Sequence, residues 1–574
     1  MIKKLTPFLK KYWIFSILCP LAVIGEVILE IQVPFLMAKI VDVGIPAKDM
    51  SYVLLTGGKM VAMALLSLVC GALASRCASV ASMGMGSEIR KGLFGKIQEF
   101  SFSNIDKFST PSLVTRLTTD INNTQNAFMM IIRTLVRAPV MLVSATLMAY
   151  TINSRLVTVF LVAIPILAVA VGILISMSFP RFTAMLKKYD SMNGSVQENL
   201  IAIRVVKAFV RSKYEKEKFR DANQELMDAS IKAEKIIVTN VPVMQLTMYS
   251  CIIAILWFGG NMIIGGSMQT GELISFISYV TQILMSLMMI SMAFVNLVLS
   301  RASVGRIVEV LDEEIDITDS HSQGVQARDG SVVFENVSFK YNKDSDANTL
   351  ENINLSISSG ETVGIIGGTG SAKTTLVQLI PRLYDVSEGR VLVGGHDVRD
   401  YKLEELRGAV GMVLQKNVLF SGTIKDNLRW GDENASDEEI SEMCKAAQAD
   451  DFVRSFPGGY DTDLGQGGVN VSGGQKQRLC IARALIKKPK IVILDDSTSA
   501  VDTATDSKIR TALRDGLRGT TTIIIAQRIT SVCDADKIIV MDDGKIDAIG
   551  THEELLASNE IYRDVYESQQ KGVA

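Results

Sequence analysis

The stretch GGTGSAKTT, Gly367 to Thr375, closes the apolar run ETVGIIG and opens the helical pattern LVQLIPRLY. It approaches the spacing G-x-x-x-x-G-K-[ST]. In that pattern glycines let backbone N–H groups fold around phosphate oxygens, here Lys373 reaches the outer phosphates, and Thr374 offers a hydroxyl to Mg²⁺. A strand, a glycine turn and a helix in that order point to an α/β domain. The departure is Ala372, where the pattern has Gly. Ala372 directly precedes Lys373, where the helix starts, so helical dihedrals are expected there without strain, and phosphate binding is expected to survive.

A second aliphatic run, VILDDSTSAVD from Val492 to Asp502, ends in two adjacent acids. It reads as a buried strand delivering a metal-binding carboxylate, Asp495, with a second carboxylate, Asp496, behind it to act on water.

Working outward, 574 residues exceed one domain, and 48% hydrophobic content is too apolar for a soluble protein of this size. The halves differ. Six apolar spans can be drawn near Trp13–Leu36, Val53–Ala74, Phe128–Ile152, Leu156–Ser178, Ile236–Ile264 and Leu273–Leu299, whereas from Ser331 onward short aliphatic runs alternate with polar helical patterns. The expected fold class is an N-terminal all-α six-span membrane domain (1–315), a linker (316–330) and a C-terminal α/β P-loop nucleotide-binding domain (331–574). A net charge of −2 argues against nucleic acid as a partner.

Lys3, Lys4, Lys10 and Lys11 precede the first span, and the two long polar connections, about Arg76–Asn126 and Arg181–Lys235, are rich in Lys and Arg. The positive-inside rule puts the termini, both long loops and the α/β domain in the cytoplasm. The first span carries acids and is too long for a cleavable signal, so it is expected to remain as an anchor. The long loops lack Gly/Pro-rich interruptions, so the spans should continue as helices into the cytosol. Seven cysteines without C-x-x-C spacing read as reduced small hydrophobes.

The pentapeptide VSGGQ, Val471 to Gln475, stands before IVILDD, and with Lys373, Gln415 in VLQKNVLFSGTI, Asp495 and SAVD it completes an ordered set. Over essentially its whole length the chain resembles a half-transporter of the ATP-binding cassette (ABC) exporter family. The resemblance implies that Gly368, Thr369, Gly370, Ser371, Ala372, Lys373, Thr374 and Thr375 cradle ATP and that Tyr341 stacks on adenine. It implies that Thr374, Gln415 and Asp495 serve Mg²⁺ and that Gln415 also takes a catalytic part by reaching the attacking water. Ser472, Gly473, Gly474, Gln475 and Asp502 would contact ATP held by the opposite cassette, with Ser499–Asp502 forming the crossing turn. The segments Ser109–Asp120 and Gln197–Phe209 resemble this family's coupling loops.

Two departures stand out against that family. The catalytic position directly after the Mg²⁺ aspartate is normally Glu; Asp496 is one methylene shorter, and about 1 Å of misplacement can cost roughly a hundredfold in rate. The switch histidine before Arg in IIIAQRITS is replaced by Gln527, which cannot take and return a proton near neutral pH. Asp496, Gln527 and Ala372 belong to one site, while VSGGQ, which serves the other, is intact. This resembles the degenerate-site subunit of bacterial heterodimeric multidrug exporters. The expectation is a plasma-membrane exporter half for amphiphilic drugs or lipids, with a second, non-identical half-transporter as its partner. A mainly regulatory ATP-binding subunit and an importer on the same scaffold are the alternatives.

For the substrate path, Glu26 and Glu30 lie one turn apart in the first span. They read either as a cation-attracting cavity wall or as a structural ion-pair cluster. Met285, Met288, Met289 and Met292 form a stripe on the sixth span, suited to varied shapes or to helix packing. Arg133 and Arg137 read as snorkelling anchors near the cytoplasmic end of the third span.

Overall fold

The computed structural model describes residues 2–319, 322, 324–342, 347–496, 502–516 and 519–571. They form two compact units, one of Met1–Gln98 with Thr110–Glu313, the other of Glu99–Ser109 with Glu314–Ala574.

In the first unit six helices are long and apolar enough to cross a membrane: Trp13–Gly44, Met50–Gln98, Thr110–Ile152, Thr158–Ile201, Ser212–Ile264 and Thr270–Phe294. Several run far past a bilayer. Met50–Gln98 has 49 residues, more than twice the roughly 20 that span the hydrocarbon, so the spans do extend as continuous helices. Their register is held by polar contacts at places where the backbone needs them. Pro34 interrupts the hydrogen bonding of the first helix. Nearby carbonyls are taken up by the sixth, with Tyr279 Oη donating to Ile31 O at 2.9 Å and Ser275 Oγ to Pro34 O at 2.6 Å. Asp42 caps the start of the sixth helix, accepting from Gly271 N at 2.6 Å and Glu272 N at 3.0 Å, where a carboxylate meets free N–H groups. A Cβ at position 271 would lie 2.6 Å from Ala38 O, so the close approach needs glycine.

The second unit contains the α/β domain. Its strands are β1 (Val332–Phe339), β2 (Leu350–Ile357), β3 (Thr362–Gly367), β4 (Glu388–Val393), β5 (His396–Asp397), β6 (Val410–Val413), β7 (Gly422–Thr423), β8 (Asp463–Leu464), β9 (Ile491–Asp495), β10 (Thr521–Ile525), β11 (Lys537–Asp542) and β12 (Lys545–Gly550). A six-stranded sheet has the order β12-β11-β3-β10-β9-β6; beside it stand a four-stranded antiparallel sheet, β2-β1-β4-β5, and the pair β7-β8. β9 and β10 are buried at every position, which explains their unbroken aliphatic sequences.

Of the expected coupling segment Ser109–Asp120, all but Ser109 lies in the membrane unit, where fully buried Asp120 pairs with Arg306 through Nε at 2.7 Å. The helix Phe102–Lys107 belongs to the cassette unit instead. Ser101 caps that helix, and its hydroxyl also donates to Asp316 at 2.5 Å. Aromatic contacts explain the placement: the Phe102 ring meets Tyr384 edge-on at 5.9 Å, and Tyr384 Oη donates to Asp106 at 2.6 Å. In the second loop the short helix Ile203–Ala208 buries none of its residues, and Ile201, Phe209 and Val210 are more than 70% exposed.

Candidate nucleotide site and membrane cavity

Sheet register assembles the site. Asp495 pairs with Ile525, Leu494 with Val413, and Ile525 with Ile365. The parallel strands β3, β6, β9 and β10 therefore end within three residues of one another, and the residues just past their ends converge at the carboxyl edge of the sheet, where α/β proteins hold ligands. Those residues are Gly368–Ala372, Gln415, Asp496 and Gln527.

Lys373 Nζ folds over its own loop, donating to Gly367 O (2.9 Å), Gly368 O (2.7 Å) and Ser371 Oγ (3.2 Å). Burial pushes this ammonium below its usual pKa, while Asp496 and Asp495 act in the opposite sense. Thr374 Oγ1 donates to Asp495 Oδ1 at 2.8 Å. Burial raises the Asp495 carboxyl, the Thr374 bond opposes this, and the neighbouring charge of Asp496 adds to it. A Cβ at Gly368 or Gly370 would meet nothing within 4 Å, so the loop has open space on its outer side. An ammonium, a hydroxyl and an adjacent carboxylate around such a loop fit a Mg²⁺-bound triphosphate. Mg²⁺ held by Thr374 and Asp495 would supply neutralisation of phosphate charge.

Ala372 corrects the reading from sequence. It is not helical: its φ of +65° and ψ of 24° are left-handed, as the Ncap of Lys373–Gln378. That is the conformation the usual glycine adopts freely and an alanine does not. The expectation of strain-free helical dihedrals fails because the chain turns at 372, one residue before the helix begins.

Asp496 is also left-handed, with φ +46°. Its amide donates to Ile525 O at 3.0 Å, and its Oδ2 accepts from Gln527 Nε2 at 2.8 Å. Burial raises this carboxyl, and hydrogen bonds from Gln527 and Gln415 pull it back. The structure thus joins Gln415 to two of the three departures, Asp496 and Gln527. Two residues not foreseen complete the surroundings. Gln477 Nε2 reaches Asp496 O at 3.5 Å, and Gln569 brackets the switch segment, donating to Gln527 O at 2.8 Å and accepting from Ile529 N at 2.9 Å. Gln569 lies in the C-terminal helix Glu560–Lys571, outside any motif.

Tyr341 is half-exposed, shares a 2.9 Å hydrogen bond with Thr375 Oγ1, and stands edge-on to Tyr384 at 5.2 Å. The signature is set apart as a ready helix start. Ser472 caps Gly473–Ile486, accepting from Gln475 N at 3.3 Å, while its own N donates to Gln475 Oε1 at 2.8 Å. Gly473, Gly474 and Gln475 form the first turn, a feature suited to anions. Asp502 accepts from Thr505 N at 2.9 Å. Ser499 to Val501 of the expected crossing turn lie outside the described residues.

In the membrane unit, Glu26 and Glu30 line a cavity of about 740 Å³ together with Arg133, Arg137, Ser278 and Gln282. Arg137 pairs with both carboxylates, with Glu26 through Nη1 and with Glu30 through Nη2 at 2.7 Å. Arg137 is therefore an interhelical ion-pair partner rather than a snorkelling anchor, and Arg133 also points to the cavity. The methionine stripe divides. Met288 packs against the apolar core of this unit, while Met285, Met289 and Met292 are exposed.

Residues 16–287 match the model of the ABC transporter transmembrane region, and residues 350–499 match the model described as ABC transporter. The chain is 40% identical to the uncharacterized ABC transporter ATP-binding protein YfiB of Bacillus subtilis (strain 168), over 99% of this chain and 98% of that one. The chain belongs to the ABC transporter family. Within it, this exporter half-transporter is 33% identical to an ATP-dependent lipid A-core flippase of Syntrophus aciditrophicus (strain SB), covering 84% of this chain and 83% of the flippase. Its fold matches a bacterial Atm1-family ABC exporter solved with ATP bound, with a TM-score of 0.81 at 24% identity over 98% of both chains. The half-transporter is a multi-pass membrane protein with a cytoplasmic ATP-binding domain.

Proposed function

We propose that this chain is the impaired-site subunit of a heterodimeric ATP-driven exporter of amphiphilic compounds in the cytoplasmic membrane. In this reading residues 1–315 form the membrane domain, 316–330 the linker and 331–574 the cassette. The observation that carries it is the Asp496 cluster. A short carboxylate in a left-handed turn is held by two glutamine side chains, Gln527 and Gln415. Neither amide can accept and return a proton, so the general-base and switch functions are both weakened in this one site. Lys373, Thr374, Asp495 and Gln415 remain to bind ATP and Mg²⁺, while the Ser472–Gln475 helix start is intact and serves the partner's site.

Other features support a second half-transporter. Ile201, Phe209 and Val210 are exposed apolar residues around Ile203–Ala208, a surface that suits a protein partner. An amphiphilic cargo is supported by relatives whose names state a lipid A-core flippase and a putative multidrug export protein.

The test uses the complex of this chain with its partner half-transporter. Ser472→Ala in this chain should remove most of the ATPase activity of the complex, because it damages the competent site; Asp496→Asn should leave most of it. The opposite ranking, or a turnover by this chain alone equal to that of the complex, overturns the assignment.

A further inference from the structure

The cavity's polar groups are not all paired with one another. One guanidinium, Arg137, serves two carboxylates, Glu26 and Glu30, so that cluster carries one surplus negative charge. Glu26 Oε2 is buried without a hydrogen-bond partner, and so is Gln282 Oε1. Arg133, one helical turn before Arg137, lines the same cavity, and no described residue gives it a hydrogen bond or an ion pair. The cavity thus presents, on its walls, an unmet acid-seeking group and unmet acceptors. Within a membrane such groups are costly unless something pairs with them.

The neighbouring surface is apolar and adaptable. Ser278 and Gln282 share one face of the sixth helix with Met285, Met289 and Met292, which follow at spacings of three and four. Those three methionines are exposed, and their thioethers accommodate varied shapes.

We propose that this cavity selects zwitterionic amphiphiles. The acid group of such a ligand pairs with Arg133, its protonated amine meets Glu30 and the unmet acceptors of Glu26 and Gln282, and its apolar body lies along the methionine row. The transport of such compounds rests on the exporter reading above; their binding does not. A purely cationic compound is a poorer match, because it brings no acid group to pair with Arg133, whose charge then opposes its own.

The test is equilibrium fluorescence binding to the purified full chain in lipid nanodiscs, with empty nanodiscs subtracted. Four probes share one fluorophore: Nε-dansyl-lysine (zwitterion), dansylcadaverine (cation), dansylglycine (anion) and dansylamide (neutral). Dansyl-lysine is expected to bind about tenfold or more tighter than the other three, the worth of one charge-assisted hydrogen bond. Arg133→Gln should bring dansyl-lysine down to the level of dansylcadaverine, and Glu30→Gln to that of dansylglycine. If one variant fails to fold, as its melting curve would show, the other and the unaltered chain still decide. Equal binding of all four probes, tighter binding of dansylcadaverine, or an unchanged ratio in Arg133→Gln overturns the proposal. Fast ATP turnover by the chain alone would overturn the heterodimer reading and leave these ratios intact.

Discussion

Gln527 donates its side-chain amide to Asp496 Oδ2 at 2.8 Å, and the pairing of Asp495 with Ile525 puts the two side by side. The bond spends the carboxylate on a neighbour that cannot relay a proton. If the site is impaired as proposed, changing one partner alone leaves the other departure in place. In a complex whose competent site is disabled, Asp496→Glu should raise phosphate release modestly, and Asp496→Glu with Gln527→His should raise it by about a hundredfold. Absence of a rise in the double variant would move the defect to Ala372.

Ala372→Gly should stabilise the cassette. Left-handed backbone costs an alanine about 1–2 kcal/mol, and the greater freedom of unfolded glycine returns about 0.5–1 kcal/mol of that. The net gain of about 0.5–1 kcal/mol should appear as a small upward shift of the cassette transition in calorimetry. A downward shift would mean that the alanine methyl packs well enough against the β-sheet core to outweigh the strain.

Burial holds the Asp496 carboxyl above its ordinary range in the folded cassette. Such a group binds its proton more tightly folded than unfolded, so it reduces stability as pH rises from the unfolded pKa through the raised one. Asp496→Asn removes that loss. The nucleotide-free variant should melt above the unaltered chain at pH 7, and the difference should shrink as pH falls toward about 4, near the ordinary carboxylate value. A difference that grew on acidification would contradict the assigned direction.

Tyr384→Phe removes the 2.6 Å bond to Asp106 while keeping the ring beside Phe102. A hydrogen bond to a charged group contributes about 1.5–3 kcal/mol. Amide hydrogen exchange across Phe102–Phe108 should therefore accelerate about tenfold or more, with ATP binding at the phosphate loop unchanged. Unaltered exchange would show that the aromatic contact alone holds this helix.

The nucleotide site was largely legible because its chemistry is written in contiguous motifs, and strand register then brings Gln415, Asp496 and Gln527 together without further information. The six spans were legible for a similar reason: length and apolarity are local properties. What stayed hidden depends on rotation and on tertiary partners. The sequence puts Arg137 near the start of a span, but only the facing of the first and third helices reveals its pairing with Glu26 and Glu30. The left-handed turn at Ala372 follows from where the helix begins, a boundary that side-chain pattern resolves poorly. Gln569 belongs to no motif and gains its role from the docking of the last helix on the switch segment. The placement of Phe102–Lys107 with the cassette depends on two residues, Tyr384 and Asp316, more than 200 positions away.

That placement affects whether the chain can be cut into parts. A cassette produced from Glu314 onward would lack Phe102 and Asp106, leaving the Tyr384 ring edge uncovered and its hydroxyl without a carboxylate partner. Such a fragment would carry a sticky notch beside Tyr341, the residue expected to stack on adenine. Adding the eleven residues Glu99–Ser109 as a separate peptide should fill the notch. The nucleotide-binding half is thus a compact unit assembled from two distant pieces of one polypeptide, and a cut between the halves would sever it from one of its own walls.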